Sequence, residues 1–442
     1  MKISFLLGAG FSRPAGYPLA SEVSDIVLRT QASGIAIDSS GTAWLRPEFL
    51  AHLQSSPGSP FTAPTDGASW SNRSGADALE AVLATYEQQH PHTQKNYEDF
   101  FDELYLYYKR DESKLEDPLF QAEYQRRNLH NDPNRQSNER HIIQGLSTAW
   151  RIFPQLLTQL IQQNPSVVSP GAGEAYSHFF ELIRTHSRRP RGLYFGLVPP
   201  AHTFYVHTLN HDLFVEKRFD DEEFHEAIDY DDGFDEMGSP YYGRLYFGWD
   251  FSPLYRQGPP YANVRMPRFT GTYSGAVQLV KLHGSLDYYS FGVEGHDTGI
   301  YEPLVVKKQP WIDPLKLYRE VEKEGKLSYR NDFTNYHPLF LSGTTAKIAQ
   351  YKDPVLFSHL LKRFEENLAD SDVLVVIGYG FRDAGINEYL LPFLEDATKK
   401  VIVIGQSLPT HYPPVKPEMF RSGGLEGFDF AELDRLLGAA ED

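Results

Sequence analysis

Hydrophobic residues fall along the chain in two rhythms. Short, nearly continuous apolar runs recur at residues 3–7 (ISFLL), 202–209 (HTFYVHTL), 277–282 (VQLVKL), 372–377 (DVLVVI) and 399–404 (KKVIVI). Runs of this length without polar alternation predict strands buried on both faces, as in a parallel sheet. The second rhythm repeats every three or four positions. It covers residues 19–30, where Leu19, Val23, Ile26 and Val27 share a face, and then 77–108, 142–163, 174–185, 354–370 and 430–437. Each of these predicts an amphipathic helix. Together they predict an α/β fold, a Rossmann-like parallel sheet sandwiched by helices with a large all-helical insertion.

The segments between are less regular. Residues 31–75 are rich in Ser, Gly, Pro and Thr and suggest an irregular connection or exposed arm. Residues 218–276 carry an acidic run, DDEEFHEAIDYDDGFDE, that lacks the spacing of a calcium loop and suggests a solvated acidic loop. Residues 289–350 suggest hairpins or loops. The expected organisation is a discontinuous nucleotide-binding domain (1–30 and 200–405), a mostly helical insertion (31–199) and a C-terminal tail (406–442).

Composition narrows the function. With 41% hydrophobic and 14% aromatic residues the chain has ample material for a packed core. A formal net charge of −17 argues against direct nucleic-acid binding, because a phosphate backbone would be repelled. The small basic cluster Arg188, Arg189 and Arg191 suggests a solvated loop. No run approaches the roughly 18 apolar residues of a membrane span. Arg13 and Pro14 interrupt the N-terminal apolar region, so it reads as a core strand rather than a signal peptide. The absence of cysteine excludes disulfides and thiolate zinc sites and fits a cytoplasmic location.

The chemistry gathers where the apolar runs stop: Gly8-Ala9-Gly10-Phe11-Ser12, Thr208-Leu209-Asn210-His211-Asp212, Lys281-Leu282-His283-Gly284-Ser285, Gly378-Tyr379-Gly380 and Gly405. Open parallel sheets bind ligands at the carboxyl ends of their strands, so these clusters are expected to converge on one crevice. A glycine turn between strand and helix aims backbone N–H groups and a helix dipole at a phosphate. Gly8 and Gly10 lack a Cβ that would hold a pyrophosphate away. The third glycine position of the dehydrogenase fingerprint is Arg13, and no acidic residue ends a second strand about twenty residues on, which disfavours hydride transfer. Of the 16 histidines, His283 stands out by its place at a strand end before Gly-Ser, whereas His207 and His211 read as packed or exposed side chains without a catalytic role. Asn210 either serves the site or caps a helix starting at Asp212.

The ordered set GAGFSRPAGYP, TLNHD, KLHGS and IGYGFRDAGIN resembles the sirtuin family, and within it the sirtuin-like NADases of bacterial antiphage defence. The resemblance covers residues 1–30 and 200–405. It implies that Gly8, Ala9, Gly10, Phe11 and Ser12 cradle the NAD pyrophosphate and adjoining ribose. Asn210 would hold the nicotinamide ribose and a catalytic water, Asp212 the carboxamide, and His283 would be the general base. Gly378, Tyr379 and Gly380 would line the adenosine side. Two departures stand out. The cysteines of the sirtuin zinc domain are missing, so no zinc is expected. The asparagine expected after the last strand is replaced by Gly405-Gln406, with Asn387 as a substitute.

The implied activity is NAD hydrolysis to nicotinamide and ADP-ribose, or its cyclic form, during abortive infection. Competing readings are an NAD-dependent protein deacylase and a non-catalytic NAD or ADP-ribose sensor. The aromatic helical insertion suggests a homo-oligomer or docking to a sensor. The resemblance implies a partner such as a HerA-like ATPase or an Argonaute, and the chain carries no P-loop of its own.

Overall fold

The computed structural model describes residues 1–37, 42–46, 70–91, 96–128, 138–162, 170–187, 202–220, 228, 230–246, 261–291, 304–308, 312, 317–330, 338–341, 356–409 and 415–438. The chain divides into two compact units. One comprises Met1–Gly16, Ser166–Phe340 and Tyr351–Asp442, the other Tyr17–Pro165 and Leu341–Gln350.

The first unit is built on a seven-stranded parallel sheet. Its strands are β1 (Lys2–Leu7), β2 (Thr203–Thr208), β3 (Tyr230–Asp231), β4 (Val277–Lys281), β5 (Val373–Ile377), β6 (Lys400–Ile404) and β7 (Phe420–Arg421), in the order β7-β6-β5-β1-β2-β4-β3. All five apolar runs are strands here, and their interiors are buried. The register matters for function. Leu7 lies level with Thr208 on one side and Ile377 on the other, Lys281 is level with Thr208, and Ile404 with Ile377. The carboxyl ends therefore form one line. The strand order reverses at β1, which makes its end the topological switch point where such sheets bind ligands.

Helices cover both faces of this sheet. Ile3, Phe5 and Leu7 face one way, and Phe5 meets Phe179 of α2 (Pro170–Ser187) edge-on at 5.1 Å. Ser4 faces the other way and its hydroxyl hydrogen-bonds Ser371, just after α4 (Phe357–Asp370). There His207 packs on Phe364 at 4.7 Å. Each of the buried phenylalanines among these contributes roughly 2 kcal/mol of transfer free energy. The same unit also holds α1 (Ala9–Ser12), α3 (Phe214–Phe219), α5 (Ala384–Glu395) and α6 (Ala431–Gly438).

Residues 234–330 contribute two four-stranded antiparallel sheets, around a small core of Tyr241, Met266, Tyr289, Val306, Ile312 and Leu317. The acidic stretch is not simply solvated. Asp231 accepts hydrogen bonds from the Gly233 and Ser274 amides, and Asp232 pairs with the Lys307 ammonium at 2.5 Å. Residues 221–227 lie outside the described residues, as do Arg188, Arg189 and Arg191.

The second unit is predominantly helical: Ala20–Val27, Trp70–Gln89, Tyr97–Tyr108, Glu112–Leu115, Pro118–Asn128 and Asn138–Gln162. Phe100 and Phe153, 5.0 Å apart, sit in its core. The expected irregular arm is partly ordered as a hairpin, Ile35–Ile37 paired with Ala43–Leu45. The Ala43 and Leu45 amides donate to Gln155 and Gln159, both at 2.6 Å, which supplies the partners that local sequence did not. Residues 47–69 of that segment lie outside the described residues. Among the described residues no helix is long and apolar enough to cross a membrane, and no group of three or more His, Cys, Asp or Glu could hold a metal ion.

Candidate active site

The turn after β1 differs from the expectation. The segment following Gly8 is the single helical turn α1, then a 3-10 turn, Arg13–Ala15. The longer helix Ala20–Val27 begins later and belongs to the other unit. The glycines approach another backbone. The Gly8 amide donates to Ile377 O at 2.9 Å and the Gly10 amide to Gly378 O at 3.0 Å. A Cβ on Gly8 would lie 2.6 Å from Gly378 O, and one on Gly378, whose φ is +64°, would lie 2.4 Å from Gly10 C and Phe11 N. The ends of β1 and β5 thus interlock at a distance only glycine permits. Tyr176, fully buried on α2, donates its hydroxyl to Phe11 O and accepts from the Ala15 amide at 3.2 Å, which pins the far side of the turn.

The end of β2 docks on this turn. Asn210 Nδ2 donates to Gly8 O at 3.0 Å and to Ser12 Oγ at 2.9 Å. With both amide hydrogens committed, Oδ1 is the atom the side chain has left to offer. Ser12 in turn donates to the Asp212 carboxylate, and Asp212 Oδ1 accepts from the Phe214 amide at 3.0 Å, just ahead of α3. Asn210 does not cap this helix, which starts at Phe214 with Leu213 in the N-cap position and no side-chain cap. Burial raises the Asp212 carboxyl above its usual range, and the nearby Lys281 ammonium pulls it back. Lys281 is itself buried, donating to Asp212 O and, at 2.7 Å, to the Glu216 carboxylate. This ion pair lies inside what the sequence shows as a plain apolar strand.

His283, after β4, is buried with its Nε2 3.2 Å from Asp383 Oδ2. Asp383 is the N-cap of α5; its Oδ1 accepts from the Ile386 amide at 3.2 Å. The loop that delivers it is held by Tyr379, whose hydroxyl donates to Asn387 Oδ1 at 2.9 Å and accepts from the Asp383 amide at 3.2 Å. Asn387 Nδ2 donates to Phe381 O at 2.9 Å, so its amide is spent inside the loop rather than turned toward a ligand. Phe381 is buried at φ +56°, a strained position for a side-chain-bearing residue. The His211 ring lies 6.1 Å from His283 and 4.9 Å from Phe340. Asp383 is the functional candidate that sequence reasoning missed, although it stands in the quoted GYGFRDAGIN; an Asp before a helix reads locally as a cap and nothing more.

A cavity of about 830 Å³ opens at the ends of β1, β5 and β6. Gly10, Gly378, Tyr379 and Gly380 line it, with Gln406 and the charged Arg13, Arg382 and Glu426. Its volume is that of a small-molecule site. Gly8, Ala9, Phe11, Ser12, Asn210, Asp212 and His283 are not among its lining residues. The structure therefore joins Gly8, Ser12, Asn210 and Asp212 in one hydrogen-bonded cluster, joins His283 to Asp383, and places Gly378–Gly380 on a neighbouring open cavity.

No protein-family model matches the chain, and no curated protein matches it. Among solved structures it is similar to the crystal structure of a Sir2 homolog–NAD complex, at 13% sequence identity and a TM-score of 0.30, covering 100% of this chain and 89% of that one.

Proposed function

We propose that this protein is an NAD glycohydrolase, in which water replaces nicotinamide at C1′ of the nicotinamide ribose to give nicotinamide, ADP-ribose and a proton. The observation that carries the reading is the Asn210 amide, locked on Gly8 O and Ser12 Oγ so that Oδ1 is its remaining polar atom. An amide oxygen accepts a hydrogen bond from water or a ribose hydroxyl without adding charge to the site. The order of motifs that resembles the sirtuin-like NADases supports the same assignment.

Nicotinamide leaves as a neutral molecule, so its departure needs no general acid. The proton released by the attacking water needs an acceptor, and an imidazole does this at neutral pH. His283 has that role, Asp212 receives the carboxamide, and the cavity beside Gly378–Gly380 takes the adenosine half. The biological consequence is NAD depletion in antiphage defence.

Chromatography of NAD incubated with the protein tests this. Wild type releases nicotinamide without any acyl-lysine peptide, and Asn210→Ala and His283→Ala each lower turnover by about 100-fold or more. Release only with an acyl peptide would instead identify a deacylase. NAD bound yet recovered intact would identify a sensor.

A further inference from the structure

We infer that Asp383 is a positioning residue for His283, fixing its tautomer and raising its basicity. The inference rests on the hydrolase reading for its purpose, but not for its geometry. The carboxylate of Asp383 serves two partners at once. Oδ1 caps α5 through the Ile386 amide at 3.2 Å, and Oδ2 meets His283 Nε2 at 3.2 Å. The cap holds the carboxylate still, and the Tyr379 hydroxyl fastens the same residue by accepting from its backbone amide at 3.2 Å. A carboxylate held this way against Nε2 keeps the hydrogen on that nitrogen, which makes Nδ1 the basic atom of the ring. Its negative charge also stabilises the imidazolium formed when a proton is taken.

The charged and titratable groups on the elements next to His283 come from two loops, and a third segment beside them is apolar. The loop after β2 brings His211, whose ring centre is 6.1 Å away, and Asp212, whose carboxyl accepts from Ser12 and Phe214 and lies near Lys281. The loop after β5 brings Asp383, Tyr379 and Arg382, the last lining the cavity. Residues 338–340 bring the apolar Phe340 beside His211. Asp383 is the one carboxylate of these in contact with the His283 ring.

The test uses the full chain in two ways. First, the His283 imidazole is titrated by NMR in protein labelled with ¹⁵N-histidine, the signals assigned with His283→Gln and His211→Gln. In wild type the ring carries its hydrogen on Nε2, and in Asp383→Asn its midpoint moves about one pH unit lower. Second, nicotinamide release is followed against pH. Asp383→Asn keeps an oxygen for the helix cap, yet lowers kcat/KM by about ten-fold or more and moves the acid limb of the profile down by about one unit. Asp383→Ser, which also caps but is too short to reach the ring, behaves the same way.

An unchanged NMR midpoint, or an activity loss that is equal at every pH, overturns the inference. A shifted midpoint in a protein that never releases nicotinamide supports the His283–Asp383 coupling and overturns the hydrolase reading instead.

Discussion

The two sides of the crevice at the strand ends are built on opposite principles. On the side of β5 and β6, glycines bring backbone against backbone and leave an open cavity of about 830 Å³. On the side of β2 and β4, polar side chains are largely packed out of solvent and held by specific contacts: Asn210 with Ser12, Asp212 with the Phe214 amide, Lys281 with Glu216 and His283 with Asp383. The open side can accept a ligand of varied detail. The packed side has its groups oriented before any ligand arrives, which is what a reacting centre requires.

The contrast can be broken most severely at Lys281, 1% exposed and paired with Glu216, itself 5% exposed. Lys281→Met leaves buried carboxylates without a countercharge and is expected to cost about 3–5 kcal/mol in urea unfolding. Lys281→Met combined with Glu216→Leu recovers most of that loss, because the uncompensated charge goes with its partner. A cost below about 1 kcal/mol for the single variant would mean that water reaches the pair.

On the open side, Gly378→Ala drives a Cβ into the Gly10–Phe11 backbone at 2.4 Å from a left-handed φ. A loss of about 3 kcal/mol is expected, seen as a lowered thermal midpoint. Gly380→Ala, two residues on, would meet only the Arg382 side chain at 4.0 Å and is expected to stay within about 0.5 kcal/mol of wild type. Equal costs at the two positions would refute the interlock.

The smallest effect concerns His207, in the middle of the sheet and away from both sides of the crevice. Its Nδ1–H donates to Phe5 O and its Nε2 accepts from Asn367, both at 3.1 Å. Burial pushes its pKa down to about 3. The folded state therefore keeps the ring neutral while the unfolded chain protonates it below about pH 6.5. Stability from this residue is intact above that value and is lost as pH falls toward 3. At pH 5 the loss is about 2 kcal/mol. His207→Gln should remove this acid sensitivity, measured as the pH dependence of unfolding.

Much of the fold was legible locally. The strands ending at Leu7, Thr208, Lys281, Ile377 and Ile404 announce themselves because burial on both faces leaves no regular polar alternation, only single interruptions such as Ser4, His207 and Gln278. The edge strands β3 and β7, two residues each, carry no such signature. The hairpin Ile35–Ile37 with Ala43–Leu45 was missed for a related reason: three-residue strands are decided by what they dock on, here Gln155 and Gln159. Lys281 looked like an incidental lysine in an apolar run, since its partner Glu216 comes from a helix after a different strand.

The sequence by itself determined that glycines, an asparagine and a histidine stand where buried strands end, because hydrophobic period and glycine are properties of a few consecutive residues. Only the tertiary structure decided what each of them touches. Gly8 and Gly10 meet Gly378, Asn210 meets Ser12, and His283 meets Asp383, a residue whose own neighbourhood marks it as no more than a helix cap. Such partnerships depend on the register of β1 against β2 and β5 and on how each loop closes. Hydrogen bonds demand atoms within about 3 Å of one another, a condition set by the assembled sheet and invisible in any local stretch of chain.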